Sequence, residues 1–493
     1  MGKRKIDQMA KEPQLEKPSK LSKSTKKDET PSSDSAVTVQ IVTGSYERVL
    51  HGFTASISPK CFAKDASKES AEDSTLVQFV DTFLFEAHAS AIKCLALSPL
   101  PKTDSTEPPK VILASGGTDE RVNLYSLSAA PPTVSEHYPT VPTLAGNKIL
   151  ENPKNRELGA LIHHSAPITA LDFPSRSKLL VSSEDNTISV NKTRDLSVIS
   201  TIKAPQPKVQ GRPSGDTAPP GGSPSGVNDF AVHPSMKLML SVGKGEKCMR
   251  LWNLVTGKKA GVLNFDKDIL QSVKEGRWST GEGRKIVWNT KGEGFAVVFE
   301  WGAVLFGIDS TPICRIFPGP RSKLHEIKYV SMGSEDSDEL VAVSTEDGRV
   351  IFYSATKTRK PDEGDDSSIP YAEPVAQLGG KSQGFAGRVK DFALLSLKGQ
   401  PGVKGDDFAV VTANSEGVVR VWWLPGIKLN AKQSSDAKDI QVGKLLNSYE
   451  TGNRITCLKA FVMMPAEEPT PEDFESFDEE SEEEQSSEES DDE

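Results

Sequence analysis

Two short patterns in the sequence contain residue types that perform chemistry in other proteins. Gly380-Lys381-Ser382 ends like a phosphate-binding loop, but Val375 occupies the position of that loop's first glycine and no helical pattern follows. His163 and His164 could bind a metal through their ring nitrogens, yet no cysteine or carboxylate cluster accompanies them. We therefore expect no enzyme activity, no metal, no cofactor and no small-molecule substrate.

A third pattern recurs along the chain: an acidic residue in a tight turn is followed six positions later by an aromatic residue. The pairs are Glu47/Phe53, Asp119/Tyr125, Glu246/Trp252, Glu300/Phe306, Asp347/Tyr353 and Glu416/Trp422. Asp185 begins a degenerate seventh copy, in which Asn191 replaces the aromatic residue. An acid in a turn accepts hydrogen bonds that lock a hairpin, and regular recurrence favours this role over acid–base catalysis. The aromatic residue is expected to fill the space between neighbouring sheets.

The elements that would position these residues are short β-branched segments bounded by glycine, aspartate and serine, which are typical of β-strands. Six copies of the repeat have an apolar segment upstream of the acid, whereas the copy at Glu47 has none nearby. A seventh such segment, residues 454–458, lies near the C-terminal end. We therefore predict an all-β fold in which the C-terminal strand joins the three N-terminal strands in one composite sheet.

Charge divides the 493 residues into three parts. Residues 1–27 contain nine Lys or Arg against three Asp or Glu, residues 467–493 contain sixteen acids and no base, and the remainder has fifty of each sign. A uniformly basic nucleic-acid-binding domain is thus disfavoured. We predict a disordered basic arm over 1–36, a folded domain over 37–464 and a disordered acidic tail over 465–493.

The charged ends of the chain suggest further functions. The lysines of the arm are read as a nuclear import signal or an RNA contact, with a solvated arm as the alternative. The acidic tail either competes with RNA for basic proteins or only aids solubility, and its serines suit an acidophilic kinase: Ser476, Ser481, Ser486 and Ser490. The five cysteines are widely spaced, which indicates reduced thiols, and no apolar run is long enough to predict a membrane span.

The repeat resembles a WD-repeat β-propeller with seven blades. His88 and His163 match the usual repeat histidine, and residues 251–254 resemble the repeat's closing strand. Several further segments are similar to the PAK-interacting, maintenance-of-killer family of WD-repeat proteins: 44–53, 159–169, 237–243, 250–257, 388–391 and 454–458. The chain departs from this family in its acidic end, because the family often has a long basic C-terminal tail.

The resemblance implies a non-catalytic scaffold in biogenesis of the large (60S) ribosomal subunit, acting in the nucleus and nucleolus. It would dock an assembly factor on pre-ribosomal particles and support rRNA processing, as one copy in a larger complex and with loops that could touch rRNA. The alternatives are a signalling adapter that negatively regulates a PAK-type kinase and a propeller that binds chromatin or histones. Candidate partner-facing residues, each of which could instead stabilise its blade, are Tyr46, Arg48, His164, Arg388, Lys390 and Arg454.

Overall fold

The computed structural model describes most of the predicted folded domain and little outside it. The described residues are 36–62, 76–101, 109–131, 141–142, 148–206, 225–276, 279–331, 339–361, 365, 367–383, 385, 387–403, 405–426, 429 and 441–465. The predicted basic arm up to residue 35, the acidic tail from residue 466 and the four candidate phosphoserines lie outside these residues.

Thirty strands account for nearly all regular structure in the described residues. The first half of the chain forms β1 (Val37–Ser45), β2 (Val49–Ile57), β3 (Val77–Glu86), β4 (Ile92–Leu97), β5 (Lys110–Gly117), β6 (Val122–Ser128), β7 (Val141–Pro142), β8 (Lys148–Ile149), β9 (Arg156–Leu161), β10 (Ile168–Ser175), β11 (Lys178–Ser183), β12 (Thr187–Lys192), β13 (Val198–Lys203), β14 (Val227–Val232), β15 (Leu238–Gly243), β16 (Cys248–Asn253) and β17 (Lys258–Asn264). The second half forms β18 (Lys285–Trp288), β19 (Gly294–Val298), β20 (Ala303–Gly307), β21 (Pro312–Ile316), β22 (Leu324–Val330), β23 (Leu340–Thr345), β24 (Arg349–Arg359), β25 (Tyr371–Gly379), β26 (Val389–Ser396), β27 (Phe408–Asn414), β28 (Val418–Leu424), β29 (Lys444–Glu450) and β30 (Ile455–Val462).

One α-helix lies between β17 and β18 in the described residues, α1 (Lys267–Ser272), with Asp266 as its N-cap. The Asp266 side chain accepts a hydrogen bond of 2.9 Å from the Ile269 N–H, which satisfies one of the free donors of the first turn. Two short 3-10 helices cover Pro59–Phe62 and Lys381–Gln383. Among the described residues, no helix has the length and apolar character needed to cross a membrane.

The strands pair as seven antiparallel groups of four, which we call blades and number along the chain. Their orders are β30-β1-β2-β3, β4-β5-β6-β9, β10 to β13, β14 to β17, β18 to β21, β22 to β25 and β26 to β29. Single parallel pairs link β3 with β8 and β21 with β25. The first strands of successive blades contact one another in order, and β30 returns to contact β4. The described strands thus form a closed ring consistent with the predicted seven-bladed propeller.

The ring closes through β30, as the sequence predicted. This strand pairs antiparallel with β1 in a register that places Gln40 opposite Phe461 and Thr43 opposite Leu458. The first blade is therefore built from both ends of the folded region, and each edge of β1 is hydrogen-bonded to a neighbouring strand.

Apolar clusters between adjacent blades form the core. The aromatic residues six positions after the turn acids are all buried, namely Phe53, Tyr125, Trp252, Phe306, Tyr353 and Trp422. Each one lies on the third strand of its blade, which follows the turn that contains the acid. Burial of one such ring stabilises the fold by about 2 to 3 kcal/mol relative to an exposed ring.

Candidate partner-binding face and axial channel

One face of the propeller gathers most of the predicted site residues, and we call it the upper face. It is the face at which the innermost strand of every blade begins and at which the turn between the second and third strands lies. In the first blade, for example, Ser45 at the end of β1 is opposite Ile455 at the start of β30. Turn acids and the residues that precede the innermost strands therefore meet here.

In the second blade, a turn acid holds the segment that leads into the innermost strand. His88 Nδ1 lies 3.0 Å from Asp119 Oδ1, and His88 Nε2 lies 2.8 Å from Ser115 Oγ. Asp119 also accepts a hydrogen bond of 3.0 Å from the Ala89 N–H. This acid thus links the turn before β6 to the segment before β4.

The third blade repeats this arrangement with His164, which corrects the prediction that His163 is the repeat histidine and His164 faces a partner. His164 is buried, with Nδ1 2.9 Å from Asp185 Oδ2 and Nε2 2.9 Å from Ser189 Oγ. His163 is exposed, although its Nε2 also lies 2.8 Å from Ser189 Oγ. The two ring centroids are 4.3 Å apart and both rings contact Ser189 Oγ, because β9 ends at Leu161 and the alternation of side chains along a strand does not extend to these histidines.

The charge of Asp185 depends on these contacts. Burial alone would raise the pKa of this carboxyl group, but hydrogen bonds from His164 and Thr187 outweigh burial and hold the pKa at about 2. Asn191 occupies the aromatic position of this blade, is buried, and donates to Ser189 Oγ at 3.0 Å. A polar side chain thus replaces the ring found at this position in the other blades.

The remaining turn acids use different partners. Glu246 forms a buried ion pair with Arg250, Glu300 lies 2.7 Å from Lys323, and Asp347 lies 2.7 Å from Arg349. In the seventh blade the neighbouring Asn414 accepts the turn hydrogen bonds, including one of 3.1 Å from the Glu416 N–H. The Glu47 carboxylate accepts a hydrogen bond of 2.8 Å from the Arg454 N–H, which lies just before the C-terminal strand that closes the ring.

Five of the six candidate partner-facing residues lie together on the upper face, around the first and seventh blades. Tyr46 is 60% exposed, and the Arg454 guanidinium lies 5.5 Å from the centre of its ring. Arg48 forms an exposed ion pair of 3.4 Å with Glu86. Arg388 lies 3.3 Å from Glu346. The half-buried Lys390 is two residues further along, at the mouth of the channel.

The channel runs along the axis of the ring and encloses about 740 Å³, lined by the innermost strands. Its lining includes Cys94, Asp229, Lys285, Glu326, Asp391 and Cys457, which come from six different blades. No group of three His, Cys, Asp or Glu residues with metal-binding geometry occurs in the described residues. The five cysteines are free thiols.

Charges inside the channel are paired across neighbouring blades. Lys285 Nζ lies 3.3 Å from Glu326, and Asp229 accepts a hydrogen bond of 3.0 Å from the Ile286 N–H. Burial raises the pKa of Asp229 to about 6, although Lys285 opposes this shift. Attraction to Asp229 and Glu326 raises the pKa of Lys285, so its ammonium group stays charged.

A second set of paired charges joins the sixth, seventh and first blades. Lys328 Nζ lies 3.3 Å from Asp391 Oδ1. The other carboxylate oxygen of Asp391 accepts a hydrogen bond of 2.9 Å from the Leu458 N–H. Burial alone would raise the pKa of Asp391, but Lys328 and Lys459 outweigh burial and lower it. Because a buried carboxylate needs compensating partners, these contacts hold innermost strands of adjacent blades together.

Sequence reasoning missed the channel residues and also the aromatic and basic side chains near the fifth blade. The Arg321 guanidinium lies 4.0 Å from the ring centre of Trp301, and Lys323 lies 5.2 Å from the same ring. The channel residues could have been found by aligning the seven innermost strands with one another. Asp229, Glu326 and Asp391 each follow the first apolar residue of their strand by two positions.

Comparison with known proteins agrees with this architecture. The family described as WD domain, G-beta repeat matches residues 155–190, which contain His164, Asp185, the two innermost strands of the third blade and the first four residues of its third strand. The match ends one residue before Asn191, the position that made this copy degenerate in the sequence.

Relatives align over most of the chain. A zebrafish (Danio rerio) protein named p21-activated protein kinase-interacting protein 1-like is 24% identical over 87% of this chain and 82% of its own length. The human protein named p21-activated protein kinase-interacting protein 1 is 23% identical over 88% of this chain and 82% of its own length. Protein MAK11 of Saccharomyces cerevisiae is 24% identical over 85% of this chain and 82% of its own length. The chain is a WD-repeat β-propeller protein related to MAK11 and to the p21-activated protein kinase-interacting proteins.

Proposed function

We propose that the protein is a non-catalytic scaffold in biogenesis of the large (60S) ribosomal subunit. It docks an assembly factor on pre-ribosomal particles in the nucleus and nucleolus and thereby supports rRNA processing. The similarity to MAK11 over most of the chain supports this proposal, together with the resemblance of the repeat segments to the maintenance-of-killer family.

The observation that carries the proposal is the rigid presentation of exposed side chains on the upper face. Tyr46, Arg388 and Arg454 come from the first and seventh blades, which β30 holds together by pairing with β1 and packing against β26. Aromatic and arginine side chains are enriched at the centres of protein interfaces. Fixed loops at the ends of packed strands lose little conformational entropy when a partner binds.

Gradient sedimentation of a tagged protein, combined with its rapid depletion, tests the proposal. We expect co-migration with large-subunit precursors and a loss of large subunits after depletion. A protein that stays in light fractions while ribosome levels remain normal would contradict the proposal.

A second candidate function is a signalling adapter that negatively regulates a PAK-type kinase. The names of the zebrafish and human relatives favour this alternative. Binding of the purified chain to the regulatory region of such a kinase, with lower kinase activity in the complex, would support it. The same gradient experiment separates the two functions, because an adapter need not follow ribosomal precursors.

A chromatin- or histone-binding propeller is the other candidate, and the sixteen acids of residues 467–493 favour it. Basic proteins such as histones are attracted to an acidic segment of this kind. Histone co-purification that requires these acids, without co-migration with ribosomal precursors, would support this function over the other two.

A further inference from the structure

The mouth of the channel contains a half-buried histidine, His325, one nitrogen of which has no hydrogen-bond partner. His325 is the second residue of β22, and its Nε2 is shielded from solvent without a hydrogen-bond partner. Burial and the nearby cations Lys390, Arg388, Arg284 and Lys323 lower the pKa of His325 to about 4. The ring is thus neutral at physiological pH and lies in a positively charged environment.

The cations beside His325 are only partly neutralised. Lys390 has no ion-pair partner in the part of the chain that the structure describes. Burial and repulsion by Arg388 and Arg454 lower the pKa of Lys390, and attraction to Glu346 does not offset them. The Arg454 guanidinium lies 5.5 Å from the centre of the Tyr46 ring and forms no ion pair within the described residues, although the Arg454 backbone N–H donates to the Glu47 carboxylate. An anion placed between these groups would relieve their mutual repulsion.

We propose that His325, Arg388, Lys390 and Arg454, which we call the mouth cluster, bind carboxylate groups of this chain's own acidic segment, residues 467–493. The cluster brings together three adjacent blades, since β22, β26 and β30 contact one another in turn. The segment supplies sixteen carboxylates and no competing cation. Charge complementarity therefore selects the segment as the occupant of the cluster.

Chain length allows this contact. The segment follows β30, which starts next to Arg454 at the channel mouth and runs eight residues to the opposite face. Eight residues of strand span about 26 Å, whereas a 27-residue segment can extend to about 90 Å, enough to return around the rim. Because the segment is covalently attached, its effective concentration at the cluster is on the order of millimolar.

The arrangement of charges favours carboxylates over RNA. Acidic side chains lie among the cations, with Glu346 3.3 Å from Arg388 and Glu300 2.7 Å from Lys323. These acids would repel the successive phosphates of an RNA strand, whereas a single carboxylate can enter between them. The balance of fifty bases and fifty acids outside the charged ends also lacks the excess of bases typical of nucleic-acid-binding domains.

Zero-length carbodiimide coupling on the full chain, followed by mass spectrometry, tests the proposal. We expect an amide between Lys390 Nζ and acids of residues 467–493, at least five times more frequent than one at the exposed Lys258 on β17. Raising the salt from about 0.05 M to 0.5 M should reduce the coupling severalfold. Lys390→Gln should remove the product, and the matched Lys258→Gln should leave it unchanged.

Two coupling results would overturn the proposal: attachment of the segment mainly to the lysines of residues 3–27, or attachment to Lys390 no more often than to Lys258. Coupling that occurs only between differently labelled copies of the chain would also overturn it, because the proposed contact is intramolecular.

A binding measurement provides a second readout on the full chain. Replacement of all sixteen acids of residues 467–493 by the corresponding amides should expose the cluster, so that a labelled decaglutamate peptide binds at least fivefold more tightly. Adding Arg454→Gln should reverse this gain. Equal binding of the peptide to the wild type and the amidated chain would overturn the proposal, as would polyuridylate binding at the cluster while the decaglutamate peptide does not bind.

Discussion

Glu47 accepts a hydrogen bond of 2.8 Å from the backbone N–H of Arg454, a residue 407 positions further along the chain. The adjacent Tyr46 N–H donates to the Arg454 carbonyl at 2.9 Å, so one residue is held on both sides of its backbone. These bonds extend the β1–β30 ladder beyond its last strand pair at Ser45 and Ile455. The turn acid of the first blade therefore helps to close the ring.

Replacing Glu47 should weaken this closure. We expect Glu47→Ala to lower the free energy of unfolding in urea by about 1 kcal/mol, because the Arg454 N–H then has only water as a partner. Glu47→Gln keeps an acceptor oxygen and should cost less. The control is Glu450→Ala on β29, an exposed acid whose loss should change stability by less than about 0.5 kcal/mol. Equal effects of Glu47→Ala and Glu450→Ala would contradict the assigned role.

The two neighbouring histidines of the third blade should respond differently to replacement. His164→Ala should destabilise the protein by about 2 to 3 kcal/mol, because the half-buried Asp185 and the buried Ser189 both lose a partner. His163→Ala should cost less than about 1 kcal/mol, since that side chain is exposed. Thermal or urea unfolding of both variants measures the difference. A larger loss for His163→Ala would restore the assignment made from the sequence.

The repeat was predictable because its acid and aromatic positions recur in a one-dimensional pattern. The composite first blade was predictable from the number of apolar segments. The copy at Glu47 has no such segment upstream, and the C-terminal end has one that belongs to no other copy. The choice between His163 and His164 could not be made this way. It depends on where β9 stops, at Leu161, and sequence patterns place the end of a strand only to within a few residues.

The channel was harder to predict for a different reason. Asp229, Lys285 and Glu326 are separated by tens of residues, and each alone resembles a solvated charge on a half-buried strand. These residues come together, and become shielded from solvent, only when the ring closes. His325 was missed likewise, because the cations that lower its pKa come from other blades or from the turns between them.

Asp229 should make stability depend on pH near neutrality. Its pKa of about 6 lies above the ordinary value of 3.8, so between these values the folded protein binds more protons than the unfolded chain. This group's contribution to stability therefore rises as the pH falls from 7 to 4. We expect wild type to gain stability relative to Asp229→Asn over this range in urea unfolding. A constant difference across the range would contradict this pKa shift.

Removing Lys285 should leave two acids of the channel, the buried Asp229 and the half-buried Glu326, without their cation. We expect Lys285→Met to cost about 3 to 5 kcal/mol at pH 7, because Asp229 and Glu326 both lose their compensating charge. Adding Asp229→Asn should recover part of this loss, since one uncompensated charge is then removed. A double-mutant cycle of unfolding free energies measures the coupling. Strictly additive effects would show that Lys285 and Asp229 do not interact.

The upper face should be required for partner binding and not for folding. We expect Arg388→Glu with Arg454→Glu to reduce co-sedimentation with large-subunit precursors at least tenfold, because both exposed cations reverse sign at the centre of the proposed interface. The control reverses two exposed lysines on the outermost strand of the fourth blade, Lys258→Glu with Lys259→Glu. Both double variants should unfold within about 2 °C of the wild type, since neither changes a buried side chain. If the control lowers co-sedimentation and the arginine variant does not, partner binding takes place at the rim instead.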